Sequence, residues 1–237
     1  MKGKNIRLII SGSTGKMGRS LRKTLDKNRE GLFGDFEIVF SASSSDLKIC
    51  DASVIIDFSE ASFSIEILKQ AVEKKIPMVI GTTGFDDNQL KFIKKASKKI
   101  PLFLVPNTSL GIAVLKQMIH QAATLGFIES STKVKILEKH QKEKKDIPSG
   151  TSKDIVNFLK EFIFKNLNIQ IESIREEDIA GEHSISLINQ NEILTISHKV
   201  LNRSIYSEGA LALAMKLIEK KKPGLYQMSD IYLPNQD

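Results

Sequence analysis

The feature that most restricts what this chain can fold into is the run Gly12-Ser13-Thr14-Gly15-Lys16-Met17-Gly18. It follows a short apolar segment at 7–11 and leads directly into a helical pattern through Leu21 and Leu25. A chain that leaves a strand through spaced glycines can turn tightly, and the helix that begins there offers unpaired amides and the positive end of its dipole. Such a turn suits a pyrophosphate, as in dinucleotide-binding folds. The spacing is GxxGxxG rather than GxGxxG, so the residues by themselves also fit a purely structural turn. Their place, after a first strand and before a first helix, favours the nucleotide site.

The rhythm that follows supports that placement. Apolar segments at 37–42, 54–58, 78–80 and 102–105 predict strands, with helical spacing between them. Ser59 is predicted as the N-cap of the helix carrying Phe63, Ile67, Leu68, Ala71 and Val72, and Asp86 opens the next helix. Alternating strands and helices predict an α/β, doubly wound parallel sheet. Beyond Pro106 the rhythm changes to a helix over 112–127, a half-exposed strand over 133–137, a polar loop over 138–151 and a helix through Ile155, Val156, Leu159 and Phe162. Alternating segments at 169–174, 183–188 and 193–200 have no helices between them, which predicts a second, α+β domain with a mixed or antiparallel sheet. A last helix over 210–220 precedes Pro223-Gly224 and a tail.

Four further segments point to ligands. The end of the second strand, Phe40-Ser41-Ala42-Ser43-Ser44-Ser45, carries hydroxyls where enzymes that select NAD carry an acid for the ribose 2′-hydroxyl. Each serine taken singly also suits an ordinary polar loop. Gly81-Thr82-Thr83-Gly84 and Val105-Pro106-Asn107-Thr108 end predicted parallel strands, where open α/β sheets place ligands. The loop over 138–151 brings His140, Lys144 and a Ser149-Gly150-Thr151 turn together before a helix, a set able to move a proton and hold a carboxylate. A surface histidine among lysines and glutamates is as readily inert.

Composition narrows the classes. Thirty-five Lys and Arg against 28 Asp and Glu leave +7, but the excess is spread along helix patterns such as Lys91, Lys94, Lys95, Lys98 and Lys99 with few aromatics, which suits solvated faces rather than nucleic acid. No apolar run approaches the roughly 20 residues of a spanning helix, so no membrane partner is expected. Lys2 and Lys4 precede an apolar stretch cut by Ser11 and Gly12, so a signal peptide is not expected and a cytoplasmic location is. Cys50 is the single cysteine, so neither an intrachain disulfide nor a cysteine metal cluster is expected, and no metal is assigned.

Seven motifs in order resemble the 4-hydroxy-tetrahydrodipicolinate (dihydrodipicolinate) reductases of bacterial lysine and diaminopimelate biosynthesis. They are GSTGKMG at 12–18, DFS at 57–59, GTTGF at 81–85, PNTSLG at 106–111, EKHQKEKKDIPSGT at 138–151, GEH at 181–183 and HKVLNRSIYSEGA at 198–210. The resemblance implies a dinucleotide-binding domain over 1–109 completed by 204–237, a substrate-binding and tetramerisation domain over 110–203, and a homotetramer. It implies NAD(P)H-dependent reduction of a small dicarboxylate, with NADPH or NADH held by Gly12, Ser13, Thr14, Gly15, Lys16, Met17, Gly81, Thr82, Thr83, Val105, Pro106, Asn107 and Thr108. His140 matches the family's proton donor, expected to act near the ordinary imidazole pKa of about 6.5, and Lys144 matches its catalytic lysine. Ser149, Gly150 and Thr151 match the turn that takes a substrate carboxylate. Two positions depart from the pattern: Gln141 stands where a second, substrate-contacting histidine is usual, and Ser43 stands where dual-specificity members have an acid. Two rivals share parts of this pattern, another two-domain nicotinamide-dependent oxidoreductase and a non-enzymatic NADPH-binding protein, but neither needs the loop at 138–151.

Overall fold

Side-chain alternation decides which side of the first sheet each apolar residue serves, and both sides are buried. The computed structural model describes residues 5–27, 36–42, 48–163, 166–177, 179–220, 222–228 and 230. Its first half runs β1 (Ile6–Ser11), α1 (Lys16–Lys27), β2 (Phe36–Ala42), β3 (Val54–Asp57), α2 (Ala61–Lys74), β4 (Met78–Ile80), α3 (Asp87–Ala96) and β5 (Pro101–Leu104). There follow α4 (Leu110–Thr124), β6 (Lys133–Gln141), α5 (Gly150–Phe162), β7 (Asn168–Glu176), β8 (Glu182–Ile188) and β9 (Ile193–Lys199), and then α6 (Ser204–Glu219) and β10 (Gly224–Tyr226). Contacts divide the chain into a first unit, 1–108 with 204–237, and a second unit, 109–203.

The first unit holds a parallel six-stranded sheet in the order β10-β5-β4-β3-β1-β2. Ile9, Ile55, Ile80 and Leu102 face one side with Ile67 and Leu68 of α2 and Ile93 of α3. Leu8, Ile10, Ile56, Val79 and Phe103 face the other with Leu21 of α1 and Leu211, Leu213 and Leu217 of α6. Burial on both faces is what a parallel sheet demands, and it explains the unbroken apolar runs of the short strands. The strand order reverses between β1 and β3, so the loop after β1 opens at the point where such sheets bind ligands.

The second unit has a mixed sheet in the order β7-β6-β8-β9, with only β6 and β7 parallel. One face packs Val134, Ile136, Ile185, Leu187 and Ile196 against Leu115 and Ile119 of α4 and Ile155 and Leu159 of α5. Along that same face the strands turn polar toward one end, through Glu138 and His140 on β6, Arg175 on β7, His183 on β8 and His198 on β9.

Several elements differ from the sequence expectation for visible reasons. Ser59 is not the N-cap of α2: that place belongs to Glu60, which makes no side-chain cap bond, and the Ser59 hydroxyl donates to Asp57 at 2.6 Å. Asp86 does cap α3, accepting from the Gln89 amide and donating its own amide to the Gln89 side chain in return. The helix α4 ends at Thr124 rather than 127, just before Gly126 at φ 82°. The helix α6 begins at Ser204 rather than 210, because its polar first turns are needed inside: Ser207 is fully buried, 3.0 Å from Ser20 and 2.8 Å from Thr24 on α1. Finally, β6 runs to Gln141 rather than 137, so His140 lies on a strand and the loop after it begins only at Lys142.

The fully buried Asp57, at the end of β3, accepts hydrogen bonds from Ser11 at 2.5 Å, Ser59 at 2.6 Å and Thr82 at 2.6 Å. It thereby joins the ends of β1, β3 and β4 at the ligand edge of the sheet. Asp57→Ala should destabilise the protein by at least about 1–3 kcal/mol, since buried hydroxyls would lose their acceptor. Chemical denaturation checks this, and an unchanged midpoint would contradict it.

Candidate active site

The expected nucleotide cradle is shaped by one residue, Phe58. Gly12 has φ 75°, and a Cβ there would lie 2.2 Å from the Phe58 carbonyl oxygen. A Cβ at Gly81 would lie 2.1 Å from the Phe58 ring. The loops after β1 and β4 therefore both close onto Phe58, the first onto its backbone and the second onto its ring, and glycine leaves room for it at each place. Beside them Thr14, Gly15 and Lys16 are exposed, Met17 is half-buried, and α1 has no acid in its first turn. An exposed helix N-terminus without a carboxylate fits a pyrophosphate. Ser13 is buried beneath the loop.

The hydroxyls expected to flank a ligand are already engaged. Thr82 donates to Asp57 and accepts from the Ser59 amide at 2.8 Å, while Thr108 donates to the Tyr206 carbonyl at 2.6 Å. Contacts from these two to a ligand would thus run through their backbone, which is also what Gly81, Val105 and Pro106 offer. Thr83 is exposed, and Asn107 is buried with partners of its own. Ser43 lies outside the described residues.

In the second unit the structure gathers His140, Lys144 and the Ser149–Thr151 turn around one buried carboxylate. Glu138, with no exposed surface, accepts from the Ser149 amide at 3.0 and 3.1 Å, the Ser152 hydroxyl at 2.5 Å and Arg175 Nη2 at 3.0 Å. Arg175 reaches on to the loop, donating from Nη2 to the Asp146 carbonyl at 2.7 Å and from Nε to the Lys144 carbonyl at 3.3 Å. Ser149 caps α5 by accepting from the Ser152 amide at 3.2 Å. Lys144 Nζ pairs with Asp146 at 2.8 Å, and the other Asp146 oxygen accepts from the Gly150 amide at 3.1 Å. Burial opposes the Glu138 charge, yet the bonds from Ser149, Ser152 and Arg175 outweigh it and hold its pKa at about 2.

His140 stands edge-on to His183, ring centroids 5.0 Å apart, and His183 Nε2 lies 3.4 Å from the Ser149 hydroxyl. Burial first, and the Lys144 ammonium second, push the His140 pKa down to about 4. Burial and the neighbouring His140 push His183 to about 3. The expectation of an ordinary imidazole near 6.5 is therefore corrected: without a bound anion, His140 is neutral at pH 7. Its Nδ1 makes no hydrogen bond among the described residues.

Glu138, His140 and His183 hold ligand-type atoms within 4.8 Å of one another, a spacing a metal could use. The donor chemistry opposes it. The Glu138 carboxylate is already filled by Ser149, Ser152 and Arg175, and a cation there would face the guanidinium. Gln141, half-buried at the end of β6, borders a cleft of about 470 Å³ with Lys142, Glu177, Ala180 and Arg203.

With this geometry in view, comparison with known proteins is decisive. The family pattern described as "Dihydrodipicolinate reductase, N-terminus" matches residues 6–108, and "Dihydrodipicolinate reductase, C-terminus" matches 111–232. The chain belongs to the dihydrodipicolinate reductase family. It is 38% identical to the 4-hydroxy-tetrahydrodipicolinate reductase of Caldanaerobacter subterraneus subsp. tengcongensis, covering 95% of this chain and 98% of that one. The reductase of the same name from Pelagibacter ubique is 35% identical over 96% of this chain and 98% of that one. Among solved structures, a dipicolinate-bound dihydrodipicolinate reductase from Paenisporosarcina shares the fold, with a TM-score of 0.73 at 21% identity over 96% of this chain and all of that one. An amine dehydrogenase from Mycobacterium smegmatis also shares the fold, with a TM-score of 0.65 at 9% identity over 95% of each chain. No described helix is long and apolar enough to cross a membrane.

The residues that sequence reasoning missed are Glu138, Asp146, Arg175 and His183 as parts of one network, and Arg203 beside Gln141. Glu138, Arg175 and His183 come from three different strands, so for them only one signal was available: polar residues at strand positions where the alternation calls for an apolar one.

The network predicts acid lability. The unfolded chain takes up protons at histidine pKa values of about 6.5, whereas folded His140 and His183 do so only near 4 and 3. Stability should thus be flat above about pH 7 and fall as pH drops below 6.5, by up to about 1.4 kcal/mol per pH unit for each histidine. Glu138 adds a further loss between its ordinary 4.5 and about 2. Urea midpoints from pH 8 to 4 should show this fall, and His183→Asn should make it shallower. A flat profile would contradict the assignment.

Proposed function

We infer that the chain uses a nicotinamide dinucleotide to reduce (2S,4S)-4-hydroxy-2,3,4,5-tetrahydrodipicolinate to tetrahydrodipicolinate, with loss of water, in lysine and diaminopimelate biosynthesis. The observation that carries this reading is the polar end of the second unit. There a buried imidazole with a free nitrogen, an ammonium and a helix N-terminus are held by one ion pair, within a chain matched along nearly its whole length by this family. Gly12, Ser13, Thr14, Gly15, Lys16 and Met17 would hold the pyrophosphate, with the backbones of 81–83 and 105–108 along the rest of the dinucleotide. The cofactor supplies the hydride.

The chain's own residues do the remaining work. The Ser149–Thr151 turn and Lys144 bind one substrate carboxylate, and Gln141 donates its amide to the substrate in place of the family's second histidine. The anion brings negative charge against the buried imidazole, which raises the His140 pKa from about 4 toward neutrality and makes it a competent proton donor. Lys144 faces the negative charge that develops on the substrate. The reading includes a cytoplasmic location and a homotetramer with no nucleic-acid or membrane partner. The face of the second sheet away from α4 and α5 supports the oligomer: Ile193 is 63% exposed, next to Ile188, and Ser184–Ser197 and Ser186–Thr195 pairs run across it.

Loss of NADPH absorbance on adding freshly made pathway intermediate tests the activity directly. His140→Ala and Lys144→Ala should each lower kcat by about 10²–10⁴ with NADPH affinity nearly unchanged. Near-normal kcat in both would refute the assignment of these two residues. NADPH should serve at least as well as NADH, because no acid is placed to repel the 2′-phosphate at Ser43. A tenfold or larger preference for NADH in kcat/KM, about 1.4 kcal/mol, would overturn that, and Ser43→Glu should move preference toward NADH.

A further inference from the structure

Asp146 makes two contacts that no substrate-binding role has been given. One of its carboxylate oxygens lies 2.8 Å from Lys144 Nζ, and the other accepts the Gly150 amide at 3.1 Å. These are an ammonium and a helix N-terminal amide, the same pair of donors that the reading above assigns to the substrate carboxylate. We propose that Asp146 is an internal placeholder for that carboxylate: substrate enters by exchange, displacing the Asp146 side chain from Lys144 and Gly150, so Asp146 sets how tightly the site takes a carboxylate.

The surroundings make such an exchange inexpensive in structure. The backbone on both sides is held independently, since Arg175 binds the carbonyls of Lys144 and Asp146 and is itself anchored on Glu138. Displacement therefore requires rotation of one side chain and no unfolding of the loop. The Lys144 and Asp146 side chains are 30% and 40% exposed, so the outgoing carboxylate regains water as it leaves. Burial works against the Asp146 charge, but Lys144 and the Gly150 amide outweigh it and keep the carboxyl below its ordinary range, so it is an anion whenever the substrate is. The donors differ in commitment. Ser149's amide is fixed on buried Glu138, whereas Gly150's amide is held only by the half-exposed Asp146, and is the one free to be exchanged.

A placeholder also serves the empty protein. It satisfies the first amide of α5 and gives the Lys144 ammonium a counter-charge. Exchange then replaces one carboxylate with another, so the net gain from this subsite is small. Affinity must come from the rest of the ligand, which favours a dicarboxylate over a simple acid.

The inference rests on the functional reading, and one set of measurements separates the two. Dipicolinate is the probe, titrated by calorimetry into wild type and Asp146→Asn, whose amide oxygen can still accept from Gly150 but carries no charge. Without the competing anion, the variant should bind dipicolinate about three- to tenfold more tightly, with a lower KM for substrate. In the absence of ligand its Tm should fall, while the rise in Tm on adding dipicolinate should exceed that of wild type. Asp146→Ser, which keeps a hydroxyl acceptor, should give the same signs and serves if the asparagine variant folds poorly. Unchanged or weaker dipicolinate binding in a folded variant, with kcat rather than KM affected, would show that Asp146 only orients Lys144 and would overturn the placeholder. Wild type that fails to oxidise NADPH with the pathway intermediate would overturn the functional reading instead.

Discussion

The Glu138–Arg175 ion pair is the interaction on which the rest of the second unit depends. A carboxylate without solvent contact is strongly unfavourable unless every lone pair finds a donor, and here Ser149, Ser152 and Arg175 supply them. The consequence is geometric. The acceptor sits on a strand, one donor belongs to the neighbouring strand and the others to the first turn of α5, so satisfying one charge also places that helix. Arg175 extends the effect by gripping the carbonyls of Lys144 and Asp146. The ammonium and the exchangeable amide are thereby set against His140 by a group that needs no contact with the reactant.

The same end of the sheet illustrates how burial tunes chemistry. Three histidines lie along the polar end of the sheet, and all have lowered pKa values with burial as the first cause. Neutral imidazoles pack at less electrostatic cost than charged ones, which keeps the protein stable at pH 7. In the proposed mechanism, such an imidazole charges only once an anion lies beside it. His198, 3.2 Å from the Ser109 hydroxyl, belongs to the packing side of this row: a Cβ at Gly111 would meet its ring at 2.4 Å, so the start of α4 is seated directly upon it.

The first unit was largely legible in the sequence. Strand faces there are decided by local alternation, and Gly12 and Asp86 announce a turn and a cap through chemistry close by in the chain. Legibility failed where a residue's role is set by a distant partner. Ser59 looks like an N-cap until Asp57 claims its hydroxyl, and Ser207 looks like loop until α1 buries it. The 138–141 segment reads as a polar loop because Glu138 and His140 break the apolar alternation. They are strand residues all the same, because Arg175 and Ser149 meet them across the fold. The apparent irregularity in the pattern marks the buried polar network of the candidate site.

Thr108 and Tyr206, bonded side chain to carbonyl, stand just before the chain leaves the first unit and just after it returns. The second unit is thus an insertion whose two ends emerge side by side, contiguous in sequence and self-contained in its core. During synthesis it can complete itself while the first unit still waits for its last pieces. Until α6 and β10 leave the ribosome, Leu8, Ile10, Ile56, Val79 and Phe103 have no α6 to cover them, and the sheet edge at β5 stays open. The order of assembly therefore runs against the order of the sequence, and the nascent chain must carry an uncovered parallel sheet for nearly a hundred residues of translation.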